Sequence, residues 1–142
     1  MTRTITGTPL PEITDQTKPF WEATLKDKLV MQKCTQCGTA NFPPKPWCVE
    51  CGSRDIPWTQ VGPGGTVYSF TISRSVAMNW PGWEDQLPVI TCLVDVDNGA
   101  RMYAQIVDCP PEKIFIGMRV EARFIPLSDQ VAIPKFVPAD VA

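Results

Sequence analysis

With 142 residues, 15 acidic and 13 basic side chains and a net charge of −2, the chain suits one hydrophobic core, or one small core plus a metal-stapled module. Its lysines and arginines are scattered rather than run together, which argues against a nucleic-acid surface. It contains no histidine, which removes Ser-His-Asp and Cys-His nucleophile systems and every mixed Cys/His metal site.

No stretch approaches the roughly eighteen apolar residues of a membrane span, and no apolar run follows Met1, so the expectation is a soluble, cytoplasmic protein. Residues 1–16 carry no strong periodicity and read as an arm. Thr17-Lys-Pro19-Phe20-Trp21 then offers a capping candidate, a proline tolerated in a first turn, and aromatics behind them. Trp21, Leu25 and Leu29 recur at i, i+4 and i+8, which predicts a short amphipathic helix running to about Leu29. Within this unit, residues 1–30, the side chains Phe20, Trp21 and Leu25 would pack either on the rest of the chain or on a partner.

Residues 31–60 hold Cys34-Thr-Gln-Cys37-Gly38 and Cys48-Val-Glu-Cys51-Gly52, with ten residues between Cys37 and Cys48. In such a pair the backbone curls after the first cysteine so that two thiolates converge on one ion. Gly38 and Gly52 allow the left-handed turn that the curl requires. Disulfides are the alternative, but no leader precedes these residues and the cytosol keeps thiols reduced. Cys34, Cys37, Cys48 and Cys51 therefore predict a rubredoxin-like metal ribbon. Four cysteines close the coordination shell, so the metal reads as structural, and zinc is favoured over ferrous iron by intrinsic affinity. The intervening Asn41-Phe42-Pro-Pro-Lys45-Pro-Trp47 reads as an extended, proline-stiffened arm. Phe42 and Trp47 are expected to cover the metal site, with Lys45 solvated at the tip.

From residue 61 to 142 the pattern changes to short strands. Residues 66–73 alternate, with Tyr68, Phe70 and Ile72 on one face. Residues 89–96 place Ile90, Cys92, Val94 and Val96 on one face, and Asp97-Asn98-Gly99 is a hairpin turn that needs positive φ. Residues 100–107 return antiparallel, 116–125 form a fourth strand, and 131–137 a proline-bearing fifth one at an edge. These predict a mainly β chain whose C-terminal part is a five-stranded OB-type barrel, an SH3-like barrel being the alternative. Cys92 reads as a buried small hydrophobe, and neither it nor Cys109 has an activating base or cation. Between the first two barrel strands, Met78, Trp80 and Trp83 lie on a loop broken by proline and glycine. They either plug one barrel end or face a partner protein or an apolar ligand.

The order of these pieces resembles the zinc-ribbon/OB-fold family of acyl-CoA-associated proteins, small partners of thiolase-fold enzymes. The resemblance rests on Pro19-Phe-Trp-Glu-Ala23, on residues 29–38 with their first cysteine pair, and on Phe42-Pro-Pro. Cys48-Val-Glu-Cys51-Gly-Ser, Gly64-Gly-Thr-Val-Tyr-Ser-Phe70 and Ile116-Gly-Met-Arg-Val120 complete it. It implies that Cys34, Cys37, Cys48 and Cys51 bind zinc. It also implies an accessory subunit that joins a thiolase, a thiolase-like aldolase or a related acyltransferase and helps shape the acyl-CoA site. The partner would supply the nucleophilic cysteine and the histidines. An aromatic or otherwise bulky acyl group would suit Met78, Trp80 and Trp83. Two other readings stand beside this one. A single-stranded nucleic-acid module has fold analogy in its favour and the acidic balance against it. A freestanding acyl-CoA binder would need Lys33, Lys45 or Arg54 to converge on phosphates.

Overall fold

The computed structural model describes residues 9–75 and 84–139. Met78, Trp80 and Trp83 lie outside the described residues. One α-helix, α1 (Lys18–Thr24), precedes a three-stranded antiparallel sheet of β1 (Leu29–Lys33), β2 (Ala40–Asn41) and β3 (Trp58–Val61), ordered β2-β1-β3. The remaining strands are β4 (Gly64–Ser73), β5 (Val89–Val96), β6 (Arg101–Ile106), β7 (Arg119–Pro126) and β8 (Ala132–Pro138). They close into a barrel of order β4-β5-β6-β8-β7. Single 3₁₀ turns occupy Glu84–Gln86 and Pro111–Lys113. The fold is thus mainly β with one short helix and a closed five-stranded barrel, as the strand pattern predicted. Among the described residues no helix is long and apolar enough to cross a membrane.

The helix stops at Thr24 rather than reaching Leu29. Asp27 adopts φ 56°, and the Lys28 N–H returns to Ala23 O, so the chain reverses and Leu29 opens a strand. The stripe Trp21, Leu25, Leu29 therefore does not form one helical face. Phe20 and Thr24 are the buried helix residues, Trp21 is half-buried and Leu25 exposed. Phe20 is consequently a core residue and not a side chain open to a partner. Thr17 sits at the N-cap without a side-chain cap bond; its hydroxyl instead accepts the Thr14 N–H at 2.9 Å.

In β5 the alternation holds throughout, with Ile90, Cys92, Val94 and Val96 all buried. In β4 it is broken by a bulge between Val67 and Ser69. Val67, opposite Val94, is buried; Phe70 and Ile72, opposite Cys92 and Ile90, pack on the core; Tyr68 at the bulge is turned outward. A bulge inserts one residue and so shifts the period-two pattern by one. β8 is not a free edge: it pairs with β7 along its length and meets β6 at one bridge.

The three-stranded sheet and the barrel bury their apolar residues together. Phe20, Leu29, Met31 and Val61 belong to the same cluster as Val67, Val94, Met102, Ile106, Val120 and Phe136. The β5–β6 hairpin enables this. Its tip residue Asn98 takes φ 62°, and Gly99 lies so close to the sheet that a Cβ there would sit 3.0 Å from Met31 Sδ and 3.1 Å from Val61 Cβ. The Ala100 N–H points at Met31 Sδ at 3.1 Å, and Lys33 Nζ donates to Asn98 Oδ1 at 2.7 Å. At the other side of the hairpin, Arg119 grips Asp97 through two hydrogen bonds of 2.9 and 2.5 Å. The Asp97 carboxyl is held below the usual carboxylate range, chiefly by the Arg119 hydrogen bond against a smaller effect of burial.

Two outcomes follow from this packing. Gly65→Ala would place a Cβ 2.6 Å from Val94 Cγ1 and 3.0 Å from Asp95 O. Overpacking of that kind should cost about 1–3 kcal/mol in urea unfolding. Asp97→Asn should cost at most about 1 kcal/mol at neutral pH, because both partners are half exposed. A depressed carboxyl stabilises above its unfolded value of about 3.9 and loses that contribution as pH falls through its folded value. The difference between Asp97→Asn and the parent should therefore vanish in strongly acidic unfolding curves.

Candidate metal centre

Each thiol pair is set by a tight turn. After β1 the chain curls so that the Gly38 N–H donates to Cys34 O at 2.9 Å and the Gln36 N–H points at Cys34 Sγ at 3.4 Å. The second turn repeats the first, with the Gly52 N–H on Cys48 O at 2.9 Å. Gly38 and Gly52 both take φ 77°, a conformation that costs a residue with a Cβ and not glycine. The two curls face each other: Cys34 Sγ lies 3.6 Å from Cys51 Sγ, and Cys37 Sγ 3.6 Å from Cys48 Sγ. All four sulfurs lie within 4.8 Å of one another.

These separations exclude disulfides, which need about 2.05 Å. They fit a tetrahedron: metal–sulfur bonds of about 2.3 Å place thiolates about 3.8 Å apart. The electrostatics fit as well. Cys34 is lowered from the ordinary thiol value, first by the Cys37 backbone N–H. Cys48 is lowered to about 6, first by the Cys51 backbone N–H. Cys51 has the Ser53 N–H in favour of its thiolate, yet the surrounding thiols and burial push it up to about 12. Backbone dipoles thus favour the thiolate at Cys34 and Cys48, while neighbouring thiols oppose it at Cys51. A divalent cation removes that conflict, since a coordinating thiol is deprotonated outright.

Two further residues assemble the site, and the sequence reading missed both. Gln32 and Asn41 are buried. The Gln32 side chain copies a backbone strand, accepting the Lys45 N–H at 2.6 Å and donating to Lys45 O at 2.9 Å. Asn41 Oδ1 accepts the Val49 N–H at 2.9 Å and so holds the second thiol curl. The available signal was a pair of uncharged polar residues flanking a cysteine curl, too common a pattern to single out.

Of the two aromatics expected over the metal, Phe42 is placed elsewhere. Phe42 packs on Phe20, ring centroids 5.7 Å apart, and Trp47 is half exposed. Cys34 and Cys48 are buried with Ile56, while Cys37 and Cys51 are exposed. Lys33 is engaged with Asn98 rather than open to a phosphate. The outlying thiols are not activated: burial pushes Cys92 up to about 12 and raises Cys109, which favours the protonated thiol at both.

A four-thiol ribbon packed on a closed five-stranded barrel defines the class of rubredoxin-like ribbon and OB-fold proteins. Residues 21–57 match the family model of the ChsH2 rubredoxin-like zinc ribbon domain, and residues 58–124 that of the ChsH2 C-terminal OB-fold domain. The chain belongs to the ChsH2-type DUF35 family. It is 33% identical, over 68% of its own length and 67% of the relative's, to a DUF35 domain-containing scaffold protein of Methanocaldococcus jannaschii. It is also 33% identical, over 92% of its length, to a probable enoyl-CoA hydratase alpha subunit of Thermomonospora curvata, but spans only 40% of that protein. Among solved structures, the one titled Ltp2-ChsH2(DUF35) aldolase contains a chain that superposes with a TM-score of 0.79 at 31% identity. The match covers 92% of this chain and 100% of that one.

Stripping the metal should undo the ribbon first. With a strong chelator, thermal unfolding should begin at a lower temperature, since such sites bind with about 10–16 kcal/mol in ribbon-sized peptides. Cys48→Ser should reproduce the loss at neutral pH, read as metal content by mass spectrometry and melting by circular dichroism.

Proposed function

We propose that this chain is a non-catalytic scaffold subunit of a thiolase-fold enzyme complex acting on acyl-CoA thioesters, with Cys34, Cys37, Cys48 and Cys51 holding a structural zinc ion. The observation that carries the reading is the full-length likeness to the chain in the Ltp2-ChsH2(DUF35) aldolase, which extends over the ribbon and the barrel together. The archaeal relatives named as scaffold proteins support it. The residue chemistry supports it too. The chain has no histidine, the thiols Cys92 and Cys109 are raised rather than activated, and the four clustered thiols have no open coordination position for water. What the chain offers is a rigid body with a metal-folded end. The partner supplies the nucleophile and the base, and this subunit positions it and borders its acyl-CoA site. The units proposed are residues 1–30, 31–60 and 61–142. The hydratase activity named for the longer relative is not carried over, because this chain spans two fifths of it.

Purified by a tag from its own host, the protein should appear in native mass spectra as a zinc-loaded assembly with a thiolase-sized subunit. That subunit should turn over an acyl-CoA thioester with this chain and lose activity or solubility without it. A lone zinc-bound monomer, or a partner whose activity ignores this chain, would overturn the reading.

A further inference from the structure

The barrel closes at one weak place. β6 and β8 run parallel and share a single bridge, Ile106 with Phe136. The direction of the main-chain groups along β6 follows from its pairing with β5. The Val96 N–H donates to Ala100 O, and the pairs Val94–Met102, Cys92–Ala104 and Ile90–Ile106 follow at steps of two. In an antiparallel ladder these alternate pairs exchange hydrogen bonds, and the residues between them point away. Arg101, Tyr103 and Gln105 therefore aim their N–H groups at the seam. Val107 continues the alternation and does donate across it, to Phe136 O at 2.8 Å. Ahead of that bridge, no strand among the described residues meets the N–H groups of Arg101, Tyr103 and Gln105.

The opposite lip of the seam is sealed. Phe136, Pro134 and Ala132 are the β8 residues that face it by the same alternation. Pro134 has no N–H, and the Ala132 N–H donates to Thr24 Oγ1 of α1 at 3.3 Å. Proteins blunt exposed strand edges with proline, lysine, bulges or a covering helix. β8 carries a proline, a lysine and a helix contact, whereas the open half of β6 carries only Arg101, whose charge is paired with Asp95.

The side chains on that open half are also those of a contact surface. Tyr103 is 74% exposed in mid-strand. Beside it the Arg101 guanidinium lies 3.3 Å from the centroid of the Tyr68 ring, and its Nε meets Asp95 Oδ1 at 2.6 Å. Tyrosine and arginine are enriched in protein interfaces. The one cation on this edge is neutralised, so the surface lacks the basic groove a nucleic acid would need.

We propose that the free edge of β6, centred on Tyr103, receives an extended segment of the enzyme subunit by strand addition. The inference rests on the scaffold reading above and adds the place and mode of contact. Only an extended backbone matches a row of outward N–H groups at every second residue. Pairing with a second copy is disfavoured by size. A ladder of about five residues falls well short of the roughly 1,200–2,000 Å² that a stable interface buries, so it belongs to a wider interface with a larger partner.

Residue-resolved hydrogen exchange on the metal-loaded chain, alone and in complex with the thiolase-fold subunit recovered with it, tests this. Alone, the amides of Arg101 and Tyr103 should exchange much faster than those of Met102 and Ala104; in the complex they should slow by about tenfold or more. Tyr103→Pro deletes one outward N–H and leaves the β5 ladder whole. It should keep melting temperature and metal content and bind the subunit about tenfold more weakly. Tyr103→Ala, which keeps the N–H, should weaken binding less. A complex in which the edge amides stay fast overturns the inference and leaves the scaffold reading standing. Edge amides already slow in the isolated monomer show that the chain covers its own edge and overturn it. Protection that appears with a concentration-dependent homodimer assigns the edge to a second copy and overturns it likewise. If no enzyme subunit assembles with the chain at all, the scaffold reading itself fails.

Discussion

Everything in this molecule depends on β1 serving two structures at once. Its inward side chains, Leu29 and Met31, lie in the core shared with the barrel, and Cys34, the next residue after its end, is the first thiol of the metal site. A short segment with four sulfurs and few apolar residues cannot hold itself folded in water. Here a metal on the four thiols would fix one end of the segment, and the barrel fixes the other. The Gly99 approach and the Lys33–Asn98 contact make the junction stiff, because hairpin tip and sheet have no room to slide past each other. For a scaffold, stiffness of this kind lets one end position what the other end binds.

Much of this was legible in the sequence because the relevant constraints are local. Cysteine spacing with a following glycine encodes a thiol curl whatever surrounds it, and alternation in residues 89–96 encodes a strand with one buried face. What was not legible depends on residues distant in the chain. The period of Trp21, Leu25 and Leu29 is genuine, but the positive φ of Asp27 and the pairing of Leu29 with Val61 convert its second half into a turn and a strand. Phe42 looked like a lid for the metal because of its neighbours in sequence; its actual neighbour, Phe20, is twenty-two residues away. The β4 bulge, invisible to a period-two reading, decides that Tyr68 faces outward. Gln32 and Asn41 could not be recognised as clamps until the chain they hold, Lys45 and Val49, was in place.

The division of labour within the chain is sharp. Thiols that could be nucleophiles are either gathered into one cluster or raised by burial, and two of the ion pairs, Asp97–Arg119 and Asp95–Arg101, hold the hairpin and the barrel wall. The OB barrel places its open seam and its exposed aromatic side chain on the same strand. In a scaffold this is an economical arrangement: the surface open to a partner and the rigid body that presents it are built from adjacent residues of β6.

One feature of the metal cluster bears on how long an ion stays, as distinct from how tightly it is held. Cys34 and Cys48 are buried, but Cys37 and Cys51 are open to water, so half of the shell can be approached without unfolding the ribbon. An incoming thiol can replace one of the two exposed sulfurs while the two buried ones retain the ion, and exchange then proceeds stepwise through a three-sulfur state. An ion held there would be open to ligand exchange at Cys37 and Cys51. The same two sulfurs are also where an oxidant would first reach the cluster.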